Sequence, residues 1–163
     1  MNSRIALRTA RPDERLALEE LQRRASLEWD DYREALLAHP EVIELPLAQI
    51  EAGQVTVAEA DGRVLGFSVV LPREDGDAEL DGLFVEPKGW GQGVGRGLVE
   101  HAAAQARATG AKSLHVIANP RAEGFYARCG FARISETPTR FGPAILMRML
   151  LPQQDSSLKP NLL

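Results

Sequence analysis

Residues 85–97 read V-E-P-K-G-W-G-Q-G-V-G-R-G and join two stretches that have different hydrophobic patterns. Before the glycines, residues 81–85 are apolar and strand-like, and Pro87 prevents that strand from continuing. After them, residues 98–103 resume with the apolar spacing of a helix. The sequence therefore predicts a strand that turns through glycines into a helix.

Four alternating glycines stand in this turn, at positions 91, 93, 95 and 97. They remove side chains where the backbone must come close to something, and they leave the first N–H groups of the helix unpaired and outward-facing. These N–H groups, together with the positive end of the helix dipole, form an anion site. A flexible turn would also contain glycine, but four glycines are an unfavourable way to begin a helix. We therefore predict a phosphate-binding loop.

Two common phosphate-binding loops fit this stretch poorly. A P-loop needs G-x-x-x-x-G-K-S/T, and no Lys-Ser or Lys-Thr follows these glycines, so it is excluded. A dinucleotide-binding unit needs G-x-G-x-x-G, whereas here Arg96 stands at the third glycine and the motif lies in the middle of the chain.

The stretch resembles the coenzyme A pyrophosphate loop of the GNAT N-acetyltransferases, whose motif is Q/R-x-x-G-x-G/A on a strand-to-helix turn. Gly93 and Gly95 match the two small residues of that motif. Trp90 stands where the family usually has Gln or Arg, although W-G-x-G also occurs among its members.

A second segment strengthens the resemblance. Residues 119–131 read N-P-R-A-E-G-F-Y-A-R-C-G-F and are similar to the family's N-x-x-A-x-x-x-Y-x-x-x-G-F segment. Asn119 suits the cap of a helix, Pro120 its first position and Gly130 its left-handed exit. Tyr126 is thereby predicted on a short helix. It is either a catalytic residue, as the resemblance implies, or a core aromatic with a bonded hydroxyl.

The remaining elements follow from local patterns. Strands are predicted at residues 5–9, 55–59, 63–71, 78–85, 113–118, 131–135 and 144–150, and further helices after Pro12 and around Tyr32. Asp61-Gly62 is a strong hairpin signal, and Pro138 and Gly142-Pro143 are expected between the last two strands. Because a helix separates residues 78–85 from residues 113–118, these two strands should lie parallel.

The resemblance implies a fold of mixed helices and strands, in the broad α/β class and more narrowly α+β. We expect a mixed, largely antiparallel central sheet of six to seven strands with helices on both faces. The central parallel pair of strands should open at the acetyl-CoA site.

The 163 residues are 44% apolar and 26% charged, a composition typical of a globular domain that buries roughly 70% of its unfolded surface. We expect one domain at residues 1–151 and a polar tail at residues 152–163. Three lysines and sixteen arginines are outweighed by acidic side chains, leaving a net charge of −4. This balance argues against a nucleic-acid partner.

Cys129 is the single cysteine, so no internal disulfide can form, and no cysteine cluster has the spacing of metal ligands. A reducing cytoplasm is the natural setting. The N-terminus lacks the apolar core of a signal peptide, and no stretch approaches about 18 uninterrupted apolar residues. We therefore expect a cytoplasmic protein that neither binds a metal nor spans a membrane.

Acetyl transfer from a thioester to an amine needs a neutral amine, a stabilised oxyanion and a proton for the departing thiolate. A lysine-like amine has a pKa of about 10.4, so a carboxylate must accept its proton, directly or through water. Glu79 and Asp81 lie two apart on one strand and share a face unless a bulge intervenes. Glu79 also lies eleven residues before Trp90. The catalytic glutamate in the histone-acetyltransferase branch of the family has the same offset from the loop. His115 is a further proton acceptor, but a lone strand histidine is more often structural.

By resemblance, Tyr126 would protonate the coenzyme A thiolate, and Cys129 would take no covalent part. Backbone groups around Leu83 and Val85 would bind the pantetheine arm, Asn119 would line it, and the loop would hold the pyrophosphate. The cofactor-binding residues so implied are Leu83, Phe84, Val85, Trp90, Gly91, Gln92, Gly93, Val94, Gly95, Arg96, Asn119 and Tyr126.

The amine acceptor cannot be read from the sequence. Trp29, Tyr32 and Leu36 lie at helical spacing among acidic residues, which would suit a cationic amine but also describes an ordinary amphipathic helix. We predict an acetyl-CoA-dependent N-acetyltransferase acting on a primary amine within a ternary complex. The competing hypothesis is a non-catalytic acyl-CoA sensor. A homodimer is expected, built on the tail and residues 144–150.

Overall fold

A computed structural model describes residues 4–153 of the chain. Seven strands form one sheet in the order β1-β2-β3-β4-β5-β7-β6. The strands are β1 (Ala6–Thr9), β2 (Val55–Ala60), β3 (Arg63–Pro72), β4 (Ala78–Val85), β5 (Ser113–Ala118), β6 (Ala132–Thr139) and β7 (Gly142–Leu150). Only the central β4–β5 pair among them is parallel. The predicted mixed, largely antiparallel sheet is confirmed.

Helices cover both faces of the sheet. They are α1 (Arg15–Leu27), α2 (Asp30–Ala38), α3 (Leu47–Glu51), α4 (Val94–Ala108) and α5 (Glu123–Arg128). Leu18 and Leu21 of α1 and Ile50 of α3 pack with the fully buried Phe67. On the other face, the alanine-rich side of α4 packs with β5, β7 and Tyr126 of α5. No described helix is long and apolar enough to cross a membrane.

The strand period decides which side chains reach each face. Val55 and Val57 of β2 belong to the core beneath α1, whereas the intervening Thr56 hydroxyl lies 3.4 Å from Gln105 of α4. The turn between β2 and β3 uses Asp61 and Gly62, both with positive φ (53° and 76°), as the Asp-Gly signal predicted. Local turn chemistry therefore fixes the register of this hairpin.

The parallel pair β4–β5 is short and then separates. Its paired positions are Ala78 with Leu114, Glu79 with His115, and Leu80 with Val116. The register of β4 against β3 shifts after this point, because Val70 pairs with Leu80 while Val69 pairs with Gly82. Asp81 is thus the extra residue of a β-bulge, which bends the strand and terminates its pairing.

The last two strands differ from the prediction. Pro138 and Pro143 were expected in the connection, but they lie inside β6 and β7 and face each other in the ladder. β6 is an edge strand and Pro143 is the second residue of β7, positions at which a missing N–H is tolerated. The turn is consequently short and contains Arg140 and Phe141.

Of the predicted tail, the structure describes only residues 152 and 153. Gln153 donates from Nε2 to the carbonyl oxygens of Ala111 (3.1 Å) and Leu151 (3.0 Å). Residues 154–163 lie outside the described part of the chain. β7 is paired on both sides, with β5 and β6, so a second subunit could not extend the sheet from it. The homodimer stays a prediction.

Gly66 sets the distance between the sheet and α4. A Cβ at this position would lie 2.7 Å from the Phe84 carbonyl oxygen and 3.2 Å from Val94 Cγ1. We expect Gly66→Ala to lower the free energy of unfolding by about 1–3 kcal/mol because backbone and α4 must shift. Gly97→Ala is the matched control: its Cβ would meet no atom within 4 Å, and alanine favours a helix by up to about 1 kcal/mol. Urea denaturation of both variants checks this, and equal stabilities would contradict it.

Candidate active site

A cleft of about 800 Å³ opens where β4 and β5 separate. The end of β4, the glycine loop and the first turn of α4 line it on one side, and Ile117, Asn119 and Phe125 on the other. The predicted site residues that line it are Asp81, Leu83, Phe84, Val85, Trp90, Gly91, Gly93, Val94, Gly95, Arg96 and Asn119. Three other predicted residues, Glu79, Gln92 and Tyr126, are not among the lining residues.

The glycine loop delivers an uncapped helix end to the cleft. Gly93 is the N-cap of α4 with φ of 82°, a left-handed conformation that glycine adopts without strain, and no side chain within residues 4–153 caps the helix. Gly97 N–H donates to the Gly93 carbonyl at 3.0 Å. The N–H groups of the three preceding residues therefore have no partner within the helix. They are a candidate anion site at the place where the sequence predicts one, and phosphate binding there stays a prediction.

Gly95 is required for a second reason, which is close packing. A Cβ there would lie 3.2 Å from Phe125 Cζ and 3.6 Å from Val85 Cγ2. The first turn of α4 thus lies directly against the α5 segment and the end of β4. This contact fixes the position of the anion site relative to the two separated strands.

Trp90, the departure from the family motif, has a structural role. Its indole N–H donates to the Val85 carbonyl oxygen at 3.0 Å, which fixes the loop to the end of β4. Its ring is half exposed and packs on Trp29 with ring centroids 5.9 Å apart. Trp90 therefore connects the glycine loop with the start of α2.

A bidentate ion pair anchors the same loop from α1. Arg24 donates to both carboxylate oxygens of Glu86, at 2.8 and 2.9 Å. This hydrogen bonding holds the pKa of Glu86 below its usual value. Because a bidentate pair fixes geometry as well as charge, it sets the direction in which the chain leaves β4.

Three arginines give the cleft a positive side. Arg96, Arg121 and Arg128 all line it. Arg96 also has a long, exposed contact with Glu100, 3.4 Å from Nε to Oε1. The sequence motifs singled out only Arg96, since the other two occupy variable positions of the tyrosine segment. Guanidinium groups near an uncapped helix end favour a multiply charged anion such as a phosphate ester.

Asn119 presents an unsatisfied donor to the site. Its Oδ1 accepts a hydrogen bond from Arg121 N–H at 2.9 Å, which caps the following turn as predicted. Its buried Nδ2 has no partner among the described residues. A buried donor without a partner costs about 1–3 kcal/mol. A ligand carbonyl in the cleft would remove this penalty.

The bulge separates the two candidate carboxylates. Leu80 faces the core beneath α4 before the bulge, and Leu83 and Val85 face it afterwards, so the alternation changes phase at Asp81. The assumption of a simple strand therefore fails at this point. Asp81 lines the cleft, where partial removal of water raises the pKa of its carboxyl group. Glu79 pairs with His115 in the sheet and lies away from the cleft.

Tyr126 is a buried residue of α5 with 8% of its surface exposed. Phe125 and Phe131 contact its ring edge-on, with centroids 5.1 and 5.5 Å away. Burial raises the pKa of its hydroxyl group well above the usual value, so the group stays protonated at neutral pH. Its neighbour Phe125 lines the cleft, and Tyr126 lies just behind it.

His115 takes part in a hydrogen-bond network that joins two strands. Its Nε2 lies 2.9 Å from Asp77 Oδ2, and the other oxygen of Asp77 accepts hydrogen bonds from the N–H groups of Lys112 and Ser113. These bonds tie the beginnings of β4 and β5 together at the end of the pair remote from the cleft. The nearby Asp75 is paired with Arg73 at 3.1 Å.

Sequence patterns missed part of the cleft wall. Phe141 lines the cleft and contacts Tyr32 edge-on with centroids 5.8 Å apart. Trp29 and Tyr32 fit either an acceptor wall or an ordinary amphipathic helix in the sequence, and nothing there connects them with Phe141. The two segments meet only because the β6–β7 turn folds over α2.

The separated parallel strands, the glycine loop and the uncapped helix end lie around one elongated cleft. The chain belongs to the acetyltransferase (GNAT) family, whose family model matches residues 19–131. The predicted family membership is confirmed, and members of this family are acyltransferases.

Two relatives and one solved structure agree with this assignment, and a more distant solved structure shares the fold. Uncharacterized N-acetyltransferases of Mycobacterium bovis and Mycobacterium tuberculosis are 33% identical over 88 residues, which are 52% of this chain. The match spans only 56% of those relatives. A GCN5-related N-acetyltransferase from Rhodopseudomonas palustris has a TM-score of 0.74 at 26% identity, covering 93% of this chain and 99% of that one. The PaiA N-acetyltransferase from Thermoplasma acidophilum has a TM-score of 0.72 at 20% identity, with coverages of 90% and 99%.

The anion site leads to a prediction about binding. Gly95→Glu should abolish coenzyme A binding, because its carboxylate would lie at the helix end that we expect to hold pyrophosphate. Gly95→Ala adds the close contact with Phe125 but no charge, so it should weaken binding less. Isothermal titration calorimetry measures both, with circular dichroism as the test of folding. A folded Gly95→Glu protein with wild-type affinity would contradict the placement of the pyrophosphate.

Proposed function

We propose that the protein transfers the acetyl group of acetyl-CoA to a primary amine by direct attack within a ternary complex. The observation that carries this proposal is that the uncapped N-terminus of α4 and the separated β4–β5 pair open on one cleft, together with the carboxylate of Asp81. The Thermoplasma neighbour described above was solved in complex with coenzyme A, which supports the choice of cofactor.

The cofactor would lie along the cleft with its phosphates at the glycine loop. The N–H groups at the start of α4 would bind the pyrophosphate, and Arg96, Arg121 and Arg128 supply positive charge around it. The pantetheine arm would enter between the separated strands. There, backbone groups of Leu83 and the unsatisfied Nδ2 of Asn119 are available to its amides.

Asp81 is the stronger candidate for the group that accepts the proton of the amine. It lines the cleft, and its raised pKa brings it closer to that of an ammonium group than an ordinary aspartate. Removal of the proton, directly or through water, gives the neutral amine that attacks the thioester carbonyl carbon. Glu79 could take part only through intervening groups.

The reaction ends when the C–S bond breaks and the thiolate takes a proton. The tetrahedral intermediate collapses to the amide and coenzyme A thiolate, and Tyr126 would donate the proton to sulfur. The Tyr126 hydroxyl is protonated at neutral pH, as a donor must be, and its two aromatic neighbours hold the ring in place. The role requires the cofactor sulfur to lie against the wall formed by α5.

A non-catalytic acyl-CoA sensor is the second candidate function. The observation in its favour is that Tyr126 lies behind the cleft wall rather than in it. Calorimetry with acetyl-CoA and NADH tests the cofactor, and coenzyme A release with a broad amine panel tests catalysis. Acetyl-CoA binding without any turnover would favour the sensor, whereas tight NADH binding without coenzyme A binding would overturn both functions.

Tyr126→Phe separates binding from chemistry. We expect kcat to fall by about 10²- to 10⁴-fold, the usual contribution of a general acid, with acetyl-CoA affinity nearly unchanged. Cys129→Ser is the control: this half-buried thiol lies one turn away and should be dispensable. Steady-state kinetics under conditions where chemistry limits turnover measures both. A Tyr126→Phe enzyme with wild-type kcat would reduce the tyrosine to a core residue.

The variants Asp81→Asn and Glu79→Gln test which of the two carboxylates accepts the proton of the amine. In the wild-type enzyme, activity should fall as the pH drops through the pKa of Asp81. This side chain is exposed in the cleft, and partial desolvation there places the acidic limb above the ordinary value of 3.8. Asp81→Asn should lower kcat/KM by about 10²- to 10⁴-fold and remove the limb. Glu79→Gln, which retains the carboxylate of the cleft, should change kcat/KM much less. Profiles of kcat/KM against pH for both variants are the measurement. A larger loss in Glu79→Gln than in Asp81→Asn would identify Glu79 as the proton acceptor.

A further inference from the structure

A second, smaller cavity of about 170 Å³ adjoins the active-site cleft. The two cavities share three lining residues: Ser26, Tyr32 and Phe141. Tyr32 and Phe141 meet edge-on in an aromatic contact, with ring planes inclined by 70°. The side cavity therefore borders the cleft at this aromatic pair.

The side cavity is lined mostly by apolar side chains. Beyond the shared residues, its walls are Leu36 of α2, Val42 and Ile43 of the following segment, and Gln22 of α1. Leu36 and Ile43 are buried, with 7% of their surface exposed in each case. None of the side chains that line it carries a charge at neutral pH. An ionised group placed there would lose part of its hydration without gaining an ion partner from the wall.

The size of the side cavity limits what it can hold. A closed apolar cavity of about 150 Å³ accommodates a benzene molecule. The side cavity is thus large enough for a branched alkyl group or a small ring, and too small for a nucleoside or a second peptide residue. Its position beside the cleft, rather than along the route to the glycine loop, makes it a subsite for the acceptor rather than the cofactor.

We infer that the acceptor is a primary amine that carries an uncharged apolar group of about four to six carbons. This inference rests on the proposed acetyl transfer and adds the class of its substrate. The apolar group occupies the side cavity between Leu36, Val42 and Phe141. The amine then lies in the main cleft, on whose wall Asp81 stands.

The wild-type enzyme provides the first test. Rates of coenzyme A release are measured with ethylamine, butylamine, 3-methylbutylamine and hexylamine, whose amino groups ionise alike. We expect kcat/KM for 3-methylbutylamine to exceed that for ethylamine by about 10- to 100-fold, from the burial of its additional methyl and methylene groups. The charged comparators 1,4-diaminobutane and 4-aminobutanoate should be poorer than butylamine.

Two substitutions at Val42 change the side cavity in opposite directions. Val42→Phe should fill it and remove the advantage of 3-methylbutylamine over ethylamine. Val42→Ala should enlarge it and move the optimum to hexylamine. Leu37→Phe is the matched control, since Leu37 lies beside Leu36 in the sequence but is 68% exposed and lines neither cavity. The control should keep the wild-type order, and acetyl-CoA affinity should be unchanged in all three variants.

The outcomes separate this inference from the proposed function. Turnover that is equal for all amines, or fastest with the charged comparators, would overturn the inference and leave acetyl transfer standing. Acetyl-CoA binding without turnover of any amine would overturn both. Comparing leucinamide with glycinamide, whose amino groups ionise alike, repeats the test for a peptide-type α-amine. A preference for leucinamide over glycinamide, or for 3-methylbutylamine over ethylamine, supports the inference.

Discussion

The separation of β4 from β5 is the constraint on which the rest of the site depends. Three residue pairs hold the strands together, and pairing stops at the bulge around Asp81. Beyond that point the two strands leave backbone groups that face each other across the cleft, and such groups need partners. A long polar ligand such as a pantetheine arm can supply them. The bulge therefore creates the opening and also leaves backbone groups along it without hydrogen-bond partners in the neighbouring strand.

Close contacts between glycine residues and their neighbours hold the helix end at this opening. Gly66 lets α4 approach the sheet, and Gly95 lets its first turn approach Phe125. Trp90 and the Arg24–Glu86 pair fix the loop to β4 and α1. The candidate anion site is thus held from several sides while its N–H groups remain available, a preorganisation that would favour phosphate binding.

The acceptor side of the cleft is built differently. It depends on aromatic contacts between distant parts of the chain, Trp29 with Trp90 and Tyr32 with Phe141. These pairs link α2 to the glycine loop and to the β6–β7 turn. One consequence is that the glycine loop and the β6–β7 turn share a structural support in α2. In the proposed reaction this support would keep cofactor and acceptor close together, as direct transfer requires.

The sequence by itself determined the features that depend on a few adjacent residues. The glycine loop, the Asp-Gly hairpin, the Asn119 cap and the parallel order of β4 and β5 all follow from local turn chemistry and element spacing. Only the tertiary structure decided that Asp81 rather than Glu79 faces the cleft, because a bulge reverses the side-chain alternation and is set by pairing with β3. It likewise decided that Tyr126 lies behind Phe125, that Pro138 and Pro143 pair within strands, and that Phe141 meets Tyr32. These features arise from contacts between residues far apart in the chain, and no local pattern encodes such contacts.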